Sequence, residues 1–263
     1  EAGSTGAVSF AGTVSMGGLS TGAGTYAVSF TGATTTFTAA ATFANTGGVT
    51  LGDGGDMLTF NGGLTSTAST TTLNGSLVTS NDAVVLGSVI VAGTSSIATV
   101  GGNLTVGTIN GLQSLTVATG TGDISFTGAI GATTALQTLT ISTARDVSFG
   151  STVRVSGAVV QSAGTGTTTI RGTSGTGLGS LAVTTSAVVF DTAATTVTGT
   201  VAVTAATTMN VSNTLDAGSS TIAMVAGTGY TQTSTGSVIT RSTASPALSL
   251  TVTTGNALLG ALS

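Results

Sequence analysis

Seven aspartates and four arginines carry nearly all the charge of this chain, so any catalysis has to be sought among them. There is no His, no Cys and no Lys. Ser-His-Asp and Cys-His nucleophile systems and the common zinc sites therefore cannot be built. Grouped carboxylates with basic partners remain the one route to acid–base work on a sugar. Here the acids are scattered, at Asp53, Asp56, Asp82, Asp123, Asp146, Asp191 and Asp216. Asp123 and Asp146 lie 23 residues apart, with Arg145 beside the second. That spacing predicts that they stack in one column, each opening a strand and accepting backbone N–H bonds at a turn, with Arg145 relieving the charge. Catalysis is not expected, and no residue is assigned a catalytic role.

Three further patterns carry chemistry. The stretch Gly52-Asp-Gly-Gly-Asp-Met-Leu58 resembles half of a calcium-binding nonapeptide repeat. In that family two successive copies surround one ion, and Ca2+ needs six to eight oxygens. One copy favours a tight Gly-rich turn, and Asp53 and Asp56 stand as the only metal candidates, with Ca2+ as the only cofactor candidate. Threonine runs at 34–36, 70–72 and 167–169 could set hydroxyl ranks on a flat face, as in β-helical ice-binding proteins. Their positions shift from coil to coil along the sequence, and β-propensity alone selects Thr on outer strand faces. Asn74, Asn103 and Asn210 open Asn-x-Ser/Thr sequons.

Composition narrows the class. Only 5% of the 263 residues are charged, against about a quarter in an ordinary soluble chain, so hydroxyls and backbone must make the surface compatible with water. Glycine is 41 residues and proline 1, which excludes collagen. A net charge of −4 without lysine argues against nucleic acid and against an anionic membrane surface. No apolar run approaches the roughly 18 residues of a membrane-spanning helix.

The elements that must position these residues are short strands. Ala7-Val-Ser-Phe10 returns as Ala27-Val-Ser-Phe30, and Ser114-Leu-Thr-Val117 as Thr138-Leu-Thr-Ile141. Asp123-Ile-Ser-Phe126 returns as Asp146-Val-Ser-Phe149. Within each phrase large and hydroxyl side chains alternate, so the large ones fall on one face. Glycine recurs too often, and apolar residues lack the spacing, for helices. A phrase returning every 20 to 24 residues predicts coils whose like residues stack: Phe10 on Phe30, Phe126 on Phe149, then Ile170 and Phe190. The expected fold is all-β, a right-handed parallel β-helix (β-solenoid) of about 12 coils at roughly 4.8 Å per coil. It forms one domain over residues 1–263, with Phe and Val inside and Thr and Ser outside.

The stretch from Gly122 to Ile141 resembles the repeats of very large bacterial beta-strand-repeat surface exoproteins, the filamentous-haemagglutinin-like adhesins. The resemblance implies secretion, a right-handed parallel β-helix, and roles in adhesion or in extracellular fibres and layers. The family's amino-terminal secretion domain is not recognisable, and an exported form is expected to have its signal removed or outside these residues. The repeat begins almost at once and finishes on Leu258, Leu259 and Leu262, without a capping helix or lysines at the edges. The expected function is an extracellular, cell-surface structural protein that stacks end to end with itself, through Val8 and Phe10 at one end and Leu258, Leu259 and Leu262 at the other. The alternative is a stalk segment of a large secreted adhesin, with cell-surface glycans as partners. Ice binding comes third.

Overall fold

A computed structural model describes residues 5–260. Every regular element among them is a β-strand, and every strand pairing is parallel. Alternation sets the local structure. Thr71–Val78 is buried at every second residue, with Thr71, Leu73, Gly75 and Leu77 inward. Ile124–Phe126 and Val147–Phe149 likewise place both ends inward and the serine outward.

The chain winds as a β-solenoid with three sheet faces. The first face starts at Ala7–Phe10, continues through Ala27–Phe30, and ends with Thr195–Thr196, Thr214–Asp216 and Ser237–Ile239. The second runs from Val14–Met16 and Thr34–Phe37 to Ile222–Ala226 and Leu248–Val252. The third is a separate 12-stranded sheet from Leu19–Ser20 to Asn256–Leu258. Twelve rungs give eleven stacking steps, a rod about 53 Å long at ~4.8 Å per step. The sequence leads to strands of three to six residues, but four are longer and turn a corner unbroken between the first two faces. The longest are Val49–Phe60 and Thr173–Thr185, at 12 and 13 residues. Bulges at these corners absorb the extra residues, as between Leu51 and Asp56.

Stacked columns make the core. Leu64, Val84, Leu104, Ile124 and Val147 lie one above another, as do Phe126, Phe149, Ile170 and Phe190. Phe126 stacks on Phe149 at 5.2 Å, and Phe10 on Phe30 at 4.7 Å. Burying each such side chain contributes about 1.5–3 kcal/mol. The expectation that Thr and Ser stay outside is corrected. Thr35, Thr71, Thr168, Thr195, Ser66 and Ser95 are buried. Thr168 sits in a column between Val147 and Val188, because Thr has nearly the shape of Val and its hydroxyl can be paired. Thr168 Oγ1 donates to Gln161 Oε1 at 2.7 Å, and Ser66 Oγ lies 2.8 Å from Thr71 Oγ1.

Candidate functional site

The acids fall where turns need acceptors. At the corner that opens the third face, Asp123 N–H donates to Asn103 Oδ1 at 2.9 Å. One coil on, Asp146 N–H donates to Asp123 Oδ1 at 3.2 Å, and Thr167 N–H to Asp146 Oδ1 at 2.6 Å. Each side chain thus caps the backbone of the next coil, as the 23-residue spacing predicts. Arg145 lies across both acids, donating from Nε to Asp123 Oδ1 at 2.7 Å and reaching Asp146 Oδ2 at 3.4 Å. Its hydrogen bond holds the Asp123 carboxyl below the usual carboxylate range. Arg241 grips Asp216 through both Nη atoms, at 2.9 and 3.1 Å, and lowers that carboxyl in the same way. Arg171 faces Asp191 at 3.7 Å. These acids are paired with arginines or backbone N–H groups and do not converge on a common point.

Asp53 and Asp56 occupy the bulge between the first and second faces. Asp56 is buried, and its Oδ2 accepts the Asp53 N–H at 2.6 Å and the Gly54 N–H at 3.3 Å. Gly52, Gly54 and Gly55 all take positive φ there, so the loop folds onto its own carboxylate. The stretch is thus a glycine-rich bulge within the continuous strand Val49–Phe60. Among the described residues no group of three or more His, Cys, Asp or Glu is placed to hold a metal.

The predicted end residues lie on the terminal rungs. Val8 is 45% exposed, and Phe10 is half-buried against Phe30. Leu258 and Leu259 are exposed, while Leu262 lies outside the described residues. The sequons Asn74, Asn103 and Asn210 sit at separate coils, and Asn103 is engaged in the corner column.

Several organising residues escape a linear reading. Thr79, Thr99 and Thr119 close the same corner on successive coils, each hydroxyl donating to the carbonyl three residues on. The repeated Thr-x-x-Asp/Gly is the signal that could have found them. Buried Asn45 accepts from Thr21 Oγ1 and donates to the Tyr26 and Gly48 carbonyls. Tyr230 is buried under the last coils, and desolvation pushes its phenol up to about 12. The threonine runs do not share a face: Thr34–Thr36 lies on the second, Thr71 and Thr72 on the first and Thr167–Thr169 on the third. On the third face Ser20, Thr42, Thr65, Val85, Thr105, Ser125, Ser148 and Thr169 form one outward column in register. Corner loops of differing length shift the sequence spacing while the pairing holds.

An open groove of about 530 Å3 lies on the first face, beside Ile90, Asn110, Leu112 and Thr134. No titratable side chain lines it. Charge is sparse on the second face, where strand Val49–Phe60 brings Asp53 and Asp56 to its edge. Asp82, Asp123, Arg145, Asp146, Arg171 and Asp191 mark the corners of the third face, Arg154, Asp216 and Arg241 belong to the first, and Asp53 and Asp56 to the bulge. No helix among the described residues is long and apolar enough to cross a membrane. No family model, curated protein or solved structure matches this chain.

Proposed function

We propose that this chain is an extracellular structural protein, a β-helical rod that assembles end to end into a surface fibre, sheath or layer. The observation that carries the reading is the character of the two outermost described rungs. Both expose apolar side chains: Val8 stacks over Val28, which is buried one coil on, and Leu258 extends the outward column above Thr231. At one end stand Val8 and Phe10, and at the other Leu258 and Leu259. An uncharged strand edge without lysine is a template for another strand. A head-to-tail contact of this kind does not close and builds a filament. The surface chemistry, hydroxyl-rich and nearly free of charge, suits an exposed coat with few tryptic sites.

Negative-stain electron microscopy over a concentration series, with and without millimolar calcium, tests it. Filaments that lengthen with concentration, and that are lost in V8D and L258D variants, are the expected result. Uniform rods of about 53 Å at every concentration would overturn self-assembly in favour of the adhesin-stalk reading, which glycan binding then tests. Assembly only with calcium would give the Asp53–Asp56 bulge a role in the contact. A third reading, ice binding, draws on the in-register hydroxyl column of the third face, and thermal hysteresis on the same sample decides it.

A further inference from the structure

Arg154 is the cation that the fold leaves without a carboxylate. Arg145, Arg171 and Arg241 each face an aspartate, whereas no acid among the described residues pairs with Arg154. It projects outward from the first face between the buried Val153 and Val155. Its one hydrogen bond among the described residues runs from Nη2 to the Thr133 carbonyl at 3.2 Å, and its Nε is buried without a partner. A half-buried guanidinium has lost part of its hydration, and a carboxylate is the group that best replaces it, through two parallel N–H···O bonds.

Thr133 links this arginine to the groove on the first face. Ile130 pairs with Val153 and Leu136 with Val155, so residues 131–135 form a loop standing opposite Arg154 alone. Arg154 holds the loop from one side. From the other, Asn110 Oδ1 accepts the Thr133 and Thr134 N–H groups at 3.0 and 3.2 Å. The loop walls off one end of the groove, which runs along the rod from Thr70 to Thr134, about 14 Å at ~4.8 Å per rung. Ile90 and Asn110 make its floor. Ser88 and Thr108 stand on successive rungs along one side, and Leu112, 72% exposed, on the other. Its volume of about 530 Å3 lies within the roughly 300–1,000 Å3 of small-ligand sites.

The groove offers hydroxyl, amide and aliphatic groups. The backbone of the sheet beneath it is paired from coil to coil, so a peptide laid here finds no main-chain partners and cannot add as a strand. A sugar chain needs what is present. Ser88, Thr108 and Asn110 supply hydrogen-bonding groups for its hydroxyls, Ile90 and Leu112 aliphatic surface for its C–H faces, and Arg154 one cation at the end for an acid group. We propose that this groove binds an acidic saccharide, a short stretch of a uronic-acid-bearing chain whose carboxylate pairs with Arg154. The site lies on the flank of the rod, away from both terminal rungs, and does not depend on end-to-end assembly.

Titration calorimetry with trigalacturonate tests it, in a V8D/L258D background so that the result is read apart from filament formation. Millimolar binding that weakens as salt is raised is the expected result, with the uncharged methyl-esterified trisaccharide binding at least tenfold less. R154Q is expected to lose at least tenfold in affinity. Because Arg154 also holds the 131–135 loop, L112D serves as a second variant. It sets a carboxylate at an exposed position in the groove, and is expected to lose at least tenfold with an unchanged melting temperature. No binding of the acid trisaccharide at tens of millimolar overturns the proposal, as does equal binding of the ester, or binding by R154Q or L112D as tight as the parent's. A glutamate trimer that binds as tightly as trigalacturonate would overturn the saccharide assignment in favour of an acidic peptide.

Discussion

Phe30→Ala is the substitution whose outcome the stacking sets most tightly. The ring is fully buried, stacked 4.7 Å from Phe10 at an interplanar angle of 4°. It meets Phe37 and Phe43 edge-on at 5.4 and 6.1 Å. Truncation removes all three ring contacts and leaves a void walled by three hydrogen-bonded sheets, which have little freedom to collapse. Phe→Ala in a core costs about 3–5 kcal/mol, and ring pairs add about 0.5–1.5 kcal/mol each beyond area burial. The expected loss is therefore at least the middle of that range, about 4 kcal/mol. Rungs of a solenoid touch only their neighbours, so the loss is borne locally. Hydrogen exchange followed by mass spectrometry should show amides between residues 14 and 60 exchanging roughly a thousandfold faster, at ~1.4 kcal/mol per decade. Amides beyond the Leu115–Ala118 rung should keep their protection. A uniform loss of protection to the last rung would refute the rung-by-rung reasoning. Unchanged protection in the first coils would refute the weight given to the ring cluster.

Two further outcomes follow from the corners. Because arginine hydrogen bonds lower the folded-state pKa of Asp123 and Asp216, their stabilisation is fully present above the ordinary carboxylate value of ~3.9 and is lost as pH falls through the lower folded value. Thermal melts from neutral to acid pH should show that loss, and a D123N/D216N variant should melt lower at neutral pH with a flatter acid limb. An acid limb identical to that of the parent would refute the assignment. At the Thr99 corner Val100 takes a φ of +61°, where the next coil has Gly120 at +62°. A side chain costs about 1–2 kcal/mol in that conformation, and glycine returns ~0.5–1 kcal/mol of entropy cost. V100G should stabilise by about 0.5–1 kcal/mol. G120V should cost about 2 kcal/mol or more, since its Cβ would press into the Val100 carbonyl oxygen. Chemical denaturation midpoints measure both, and a lowered midpoint for V100G would refute the strain.

What could be read from the sequence was the part that repeats in both type and spacing. Phe126 over Phe149, and Asp123 over Asp146 with Arg145 between, are legible because equal gaps in sequence become one step in space. The three-faced cross-section was not legible. The corners have no fixed length, and Val49–Phe60 crosses one without a break. Inward threonine was missed because Thr168 has the same pattern as an outward residue until its stacking partners Val147 and Val188 are known. The threonine runs that look out of phase in the sequence are so in the fold as well, on three different faces.

The near absence of charge has a physical cause in this architecture. Stacking puts like positions about 4.8 Å apart on successive rungs. Two like charges at that distance repel by about 1 kcal/mol in water and about 3 kcal/mol at an effective dielectric near 20. A repeated charged position would accumulate that penalty at every step, so columns are filled with residues that stack without repulsion: hydroxyls outside, aliphatic and aromatic groups within. Where acids do stack, at Asp123 and Asp146, a cation lies across the pair and the backbone of the next coil supplies N–H donors.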